Sequence, residues 1–241
     1  MKDKKTIQYF DEYTPEYGTN RLRRAVEIIK RHGTKDSSLI NIGCGTASDL
    51  AFIKRQTGLY DVCGMDVSQR SLEKAASRLG CETIEGNVLE EGIAGRIQKR
   101  YDFALLFSLL HHLIGKNRAD SRRKAILAMA NAMKLVKDGG YIIIEEPTFS
   151  TRAAMTALFY IKKIVSSIAP TRIAIGRKGN IGAPVTSFYA NEQLVDMVKS
   201  VEGAEIIDID IIERKTNPLW RLALILKKGN ITITIKKRPV Q

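Results

Sequence analysis

Hydrophobic and polar positions along this chain fall into two alternating regimes. Short apolar runs that end in small or polar residues read as buried strands. Between them lie stretches whose apolar residues recur every third or fourth position, as amphipathic helices require. The first run, Leu39-Ile40-Asn41-Ile42, enters Gly43-Cys44-Gly45-Thr46-Ala47, a turn too tight for large side chains. A second run, 60–66, ends on the carboxylate of Asp66, and a third closes with Gly86-Asn87-Val88. A fourth, 101–107, leads into Ser108-Leu109-Leu110-His111-His112. A fifth follows the Asp138-Gly139-Gly140 turn and reaches Pro147. Helical spacing covers 21–32, 49–57, 69–79 with Ser68 as N-cap, and 117–133. Each crossover is long enough for a right-handed strand–helix–strand unit, which predicts a parallel sheet.

After Pro147 the pattern changes. Residues 151–169 read as an unusually apolar helix stopped by Pro170, followed by a glycine-rich basic loop at 175–184 and a regular helix at 191–200. The chain then closes in antiparallel fashion: a strand at 204–213, a turn at Thr216-Asn217-Pro218, and a strand at 219–227. The alternating run Ile231-Thr232-Ile233-Thr234-Ile235 is expected to add at the sheet edge, where its lysines and Pro239 discourage further pairing.

The strand ends carry the candidate chemistry. Two glycines let a ligand approach the backbone after the first strand, and the next helix offers its unpaired N–H groups. Asp66 stands 23 residues after Gly43, near the roughly 20 expected of an acid that accepts hydrogen bonds from a ribose. Polar or small residues close each strand, so a ligand crevice is expected along one edge of the sheet.

This series of motifs resembles the class I S-adenosylmethionine-dependent methyltransferases, closely over 36–147 and loosely elsewhere. A dinucleotide fingerprint would need a third glycine where Ser48 stands. The Asp-Gly-Gly turn and the Leu-His-His after the fourth strand also match the methyltransferases. The resemblance implies an α/β fold: a doubly wound, mostly parallel seven-stranded sheet with an antiparallel C-terminal hairpin and a helical cap insertion. It implies one domain over 1–241, divided into an N-terminal lid (1–35), a donor-binding core (36–147), an acceptor-binding cap (148–190) and a closing helix and hairpin (191–241).

S-adenosyl-L-methionine is the implied cofactor, held by Gly43, Cys44, Gly45, Asp66, Val67, Asn87, Val88, Phe107 and Ser108, with Tyr17 and Arg21 at its methionine end. Two positions depart from the family pattern. Asn41 replaces an acid, and its amide can still organise water or the donor's amine. Ala47 replaces a third glycine. At Asn87 the family more often has aspartate, and the amide carbonyl can still accept from an exocyclic amine.

His111 and His112 are two readings at once. One is a general base for the acceptor, His112 slightly preferred; the other is a structural pair that packs the strand end. Glu145 and Glu146 are alternative bases, or else one bonds a loop N–H while the other is solvated. Tyr13, Phe159, Arg177 and Tyr189 are expected around the acceptor, or, for the aromatics, in the core of the cap. Asn217-Pro218-Leu219-Trp220 resembles an amino-methyltransferase motif but stands far downstream of the fourth strand, at a turn that Asn-Pro favours anyway.

Composition narrows the partners. With 241 residues and 44% hydrophobic content the chain can bury a proper core. No apolar stretch approaches the roughly 18 residues of a membrane span, and the N-terminal residues lack the apolar region of a signal peptide. Three cysteines without metal-ligand spacing fit reduced core residues of a cytoplasmic protein, with no metal site. The net charge of +13 is uneven: 151–190 and 214–241 carry cations and no acid. The leading expectation is a methyltransferase for a small-molecule or lipid-like acceptor. The alternatives are an RNA methyltransferase, disfavoured because no RNA-binding module is recognisable, and a donor-binding scaffold without turnover. Peripheral contact with anionic lipid fits the apolar helix and the basic charge.

Overall fold

The computed structural model describes residues 18–168, 184–216 and 226–239. A 3-10 turn (Thr19–Leu22) leads into α1 (Arg23–His32). There follow β1 (Leu39–Ile42), α2 (Ser48–Thr57), β2 (Val62–Asp66), α3 (Gln69–Leu79), β3 (Glu82–Glu85), the short α4 (Ile93–Arg96) and β4 (Tyr101–Phe107). After a 3-10 turn at Leu110–His112 come α5 (Arg118–Leu135), β5 (Val136–Phe149), α6 (Arg152–Ile168), α7 (Asn191–Lys199), β6 (Ala204–Lys215) and β7 (Lys227–Lys237). The seven strands form one sheet in the order β3-β2-β1-β4-β5-β7-β6. The pairs from β3 to β5 are parallel, and β7 runs antiparallel to both β5 and β6.

The fold follows from strands that are buried on both sides. In β1 all four residues are buried: Ile40 and Ile42 point into a core shared with α4, α5 and α7, while Leu39 points into one shared with α1, α2 and α3. α5 presents Ala125, Ala128, Met129 and Ala132 inward, and its alanines let the helix lie close on the sheet. The N-cap expected at Ser68 holds, its Oγ accepting from Ser71 N–H (3.1 Å), and Asn117 caps α5 in the same way, its Oδ1 accepting from Asp120 N–H (2.8 Å).

The C-terminal closure differs from expectation. The run Ile231–Ile235 belongs to β7, which lies inside the sheet between β5 and β6, and β6 is the edge. The reason is burial on both faces: Ile231, Ile233 and Ile235 enter the α5–α7 core, and Thr232 and Thr234 are buried on the other side. Most of the run read as a strand at 219–227, and the Asn-Pro-Leu-Trp segment, lie outside the described residues. No helix among the described residues is long and apolar enough to cross a membrane.

Candidate functional site

The chain passes from β1 outward to β2 and β3, then returns to place β4 on the other side of β1. Such a reversal leaves a crevice beyond the carboxyl ends of the two central strands. Its walls are the Gly43–Ala47 turn after β1 and the Phe107–Leu109 segment after β4. The only two non-glycine residues with left-handed backbone among the described residues border this crevice: Ala47 (φ 59°) and Ser108 (φ 49°). Each conformation costs roughly 1 kcal/mol, and such strain collects at functional sites.

The turn is over-determined. Gly43 and Cys44 both donate to the Met65 carbonyl (2.7 and 3.0 Å), and Ala47 N–H to the Cys44 carbonyl (2.8 Å). Gly43 (φ 74°) and Gly45 (φ 53°) are left-handed but serve different ends. A Cβ on Gly43 would stand 2.7 Å from Leu109 Cδ1, so this glycine lets the β4 loop close on the turn. A Cβ on Gly45 would meet nothing within 4 Å, so Gly45 faces open space. The Cys44 thiol packs over Gly64, where a Cβ would come within 2.9 Å of its sulfur; burial pushes the thiol pKa well up and keeps it protonated.

Asp66, at the end of β2, accepts from Gly45 N–H at Oδ2 (2.8 Å) and from Ser68 N–H at Oδ1 (2.9 Å). It thereby ties the turn to the start of α3. Asn87 is half-buried beyond β3, where its Oδ1 accepts from Leu89 N–H (3.0 Å). Val88 is buried and its carbonyl accepts from Asn131 (2.7 Å). Val67 is the residue between Asp66 and the Ser68 cap. Phe107 turns its ring into the core of α1 and α2, so only its backbone borders the crevice.

Arg21 reaches the crevice rim, where it is clamped by carboxylates. Its Nη2 lies 2.5 Å from Asp49 in the first turn of α2, and its Nη1 lies 2.5 Å from Glu145 at the end of β5. Glu145 is fully buried and also accepts from Asn230 Nδ2 (2.5 Å) and Ser108 Oγ (3.2 Å). The expectation that one of the two β5 glutamates is solvated is therefore corrected, because Arg21 and Asn230 cover Glu145. Glu146 is the one that bonds a loop N–H, accepting from Leu110 (2.6 Å). Burial pushes Glu145 up to about 7 and Glu146 up to about 8.

The two histidines are packed into the framework. His111 Nδ1 is 2.7 Å from Glu146, and its ring stacks on Phe188 at 4.8 Å. Burial pushes His111 down to about 3 and His112 well below its ordinary value, so both imidazoles are neutral and weakly basic. The His111 carbonyl accepts from Ser187 N–H (2.8 Å), which docks 184–190 against this turn. Arg118 secures the same segment through Ser187 Oγ (3.0 Å) and the Phe188 carbonyl (2.7 Å). Phe159 and Tyr189 are buried against the Arg118 guanidinium, 5.9 and 5.2 Å from their ring centres. Their rings thus form the packing that seats α6. Tyr13, Tyr17 and Arg177 lie outside the described residues.

Sequence reasoning missed Asp49, Leu109, Arg118 and Asn230, which shape the crevice from four separate elements. No local pattern marks them. The described residues contain no group of three or more His, Cys, Asp or Glu side chains that could hold a metal ion.

Asn41 Oδ1 and Thr46 Oγ1 are buried at the turn without a hydrogen-bond partner. Each such orphan costs about 1–3 kcal/mol, which a ligand donor or acceptor group would relieve. Gly45 leaves open space, and Asp66 stands beside it.

Residues 40–142 match the family model described as a methyltransferase domain. Among solved structures, a SAM-dependent methyltransferase from Methanosarcina mazei aligns with a TM-score of 0.59 at 16% identity, covering 88% of this chain and 98% of its own. The magnesium protoporphyrin IX methyltransferase of Synechocystis PCC 6803, solved with bound SAH, gives 0.58 at 12% identity over 96% of this chain and 92% of its own. The N-methyltransferase NodS of Bradyrhizobium japonicum WM9, in complex with S-adenosyl-L-homocysteine, gives 0.58 at 12% identity, over 98% of this chain and all of its own. A search of curated protein sequences finds no match.

Proposed function

We propose that the chain is a class I S-adenosylmethionine-dependent methyltransferase whose acceptor is a small molecule enclosed between the donor crevice and a cap built from residues 148–190. The observation that carries the donor-site reading is the crevice itself. An open Gly45, an acid-anchored turn and two orphaned buried polar atoms stand together at the sheet's reversal point.

Bound at this turn, S-adenosylmethionine would supply an electrophilic methyl carbon. Asp66 accepts from the ribose hydroxyls while holding Gly45 and Ser68 in place. Asn41 Oδ1 accepts from the amine, and Asn87 faces the adenine with its remaining amide capacity. Cys44, Val67, Val88, Phe107 and Ser108 border the donor through backbone and small side chains. Arg21 acts through Glu145 and Asp49: it pins the segment ahead of α1 to the crevice rim. His111 and His112 serve as framework, since neutral, weakly basic imidazoles are poor proton acceptors at neutral pH. The protein's main contribution to rate is then positioning and exclusion of water at the reacting carbon.

The small-acceptor reading is supported by the way 184–190 and α6 dock over the end of β4 through Arg118, which closes that side of the crevice. A second role is supported by the outer face of α6. Tyr160, Ile161 and Ile164 are 42%, 57% and 58% exposed, at helical spacing, in a stretch free of acids. This face suits contact with an anionic bilayer, and sedimentation with phosphatidylglycerol vesicles but not phosphatidylcholine vesicles checks it.

Calorimetry with S-adenosylhomocysteine tests the donor site. Asp66→Ala removes acceptors for two ribose hydroxyls and is expected to weaken binding about 30-fold or more. Unchanged affinity in the variant overturns the assignment. Transfer of radiolabelled methyl to pooled small molecules, with total RNA in parallel, separates the acceptor classes. Labelling of RNA alone would favour the nucleic-acid alternative, and donor binding with no labelling at all would favour the scaffold.

A further inference from the structure

The two edges of the sheet are guarded differently. β3 is four residues long and carries a glutamate at each end, the short charged edge that discourages further pairing. β6, the opposite edge, runs for twelve residues. Its register shifts between Ile206 and Asp208, and the stretch beyond that shift has no proline and no lysine before Lys215. There Ile209, Ile211 and Ile212 are 42%, 46% and 38% exposed. Among the described residues this stretch pairs with β7 alone.

The hairpin end shows which backbone groups face outward. Thr216 N–H donates to the Leu226 carbonyl (3.1 Å). In the same antiparallel register, Arg214, Ile212 and Asp210 exchange hydrogen bonds with Lys228, Asn230 and Thr232 of β7. The alternate residues Ile209, Ile211, Glu213 and Lys215 therefore turn N–H and C=O away from β7. Charge on the strand is left half-matched as well. Glu205 pairs with Arg238, Asp208 with Arg24 and Glu213 with Lys227. Asp210 and Arg214 have no such partner among the described residues. Four residues apart on one strand, they stand about 13 Å from each other and cannot meet.

We propose that the outer edge of β6 pairs antiparallel with the same edge of a second copy of this chain, about a two-fold axis through Ile212. Each Asp210 then lies opposite Arg214 of the partner subunit, Ile212 meets its own counterpart, and the outward N–H and C=O groups of 209–215 are bonded. Other two-fold registers are poorer. Centring the axis on Asp210, Glu213 or Arg214 sets like charges face to face, which destabilises a strand pair. Centring it on Ile211 brings Arg214 to Asp208, which Arg24 already holds. An isologous pair consumes both β6 edges and leaves only the short β3 edges, so growth stops at two.

Sedimentation equilibrium of the full chain, over about a hundredfold range of concentration, should show a dimer that dissociates on dilution. Arg214→Asp sets acid against acid twice across the axis and should weaken dimerisation about tenfold or more. Adding Asp210→Arg to that variant should restore it to within about threefold of wild type. Ile212→Cys should form a disulfide between subunits under mild oxidation, since directly opposed residues of this kind have Cα atoms about 4.5 Å apart. Ile209→Cys, far from its counterpart in this register, should not.

A monomer at every concentration overturns the proposal. So does a dimer that Arg214→Asp leaves unchanged, or a double variant as weak as the single one. Cross-linking through Ile209→Cys and not Ile212→Cys overturns it too. None of these measurements involves S-adenosylmethionine, so the result stands apart from the donor-site reading.

Discussion

Arg21→Met isolates the ion pair that fastens the N-terminal segment to the crevice. In the wild type the guanidinium sits 2.5 Å from Glu145 and 2.5 Å from Asp49. After substitution, Glu145 keeps only Asn230 and Ser108 as neutral donors. Removing one partner of a buried pair costs about 3–5 kcal/mol if the other stays ionised. The Asp49 contact is partly exposed and adds at most about 1 kcal/mol. Glu145, however, can escape the penalty by taking up a proton. Burial pushes it up to about 7 even though Arg21 opposes the shift.

Without Arg21 its folded-state pKa rises further. An acid whose folded pKa lies above its unfolded value stabilises the fold at low pH, and that contribution is lost as pH climbs through the folded pKa. Between the wild-type and variant values, each pH unit adds about 1.4 kcal/mol to the difference. The loss of stability should therefore be about 1–2 kcal/mol near pH ~6 and grow to about 3–5 kcal/mol near pH ~8.5. Urea unfolding of both proteins at the two pH values, followed by circular dichroism, measures it. A difference that is independent of pH, or larger at the acid end, would refute the argument.

Three further outcomes follow from the geometry. Gly43→Ala should cost about 2–4 kcal/mol, from left-handed strain and from the clash with Leu109, and only about 1 kcal/mol of that should remain in a Leu109→Ala background; additive losses in the double-mutant cycle would show that Leu109 is not the obstacle. His111→Ala should speed amide exchange at Ser187 about tenfold or more by removing the ring beneath Phe188, with exchange in the Gly45 turn unchanged; equal protection in both proteins would show that the histidine turn does not seat this segment. Ser68→Ala should cost about 1 kcal/mol in urea unfolding through loss of the α3 cap, and no measurable loss would contradict the Ser71 hydrogen bond.

Much of this protein was legible as text because its signals are local. A strand buried on both sides must be a short apolar run, and a turn that forbids side chains must be glycine-rich. An N-cap must be a residue such as Ser68 or Asn117. These rules place β1 to β5, the helices α1, α2, α3 and α5 and the glycine turn after β1 in sequence alone, and they locate Asp66 at its strand end; the single-turn α4 is too short to leave a periodic signal. What tertiary structure decided is everything that depends on which surfaces meet. Ile231–Ile235 reads as an edge by its flanking lysines, yet the sheet buries both its faces and makes it interior. Gly43 and Gly45 look equivalent along the chain, but Leu109 stands against one and empty space against the other. Glu145 and Glu146 are neighbours in sequence and face opposite sides of the sheet, so one meets Arg21 and the other His111. Hydrophobic periodicity specifies which side of an element is buried; only the packed fold specifies against what, and site chemistry depends on the latter.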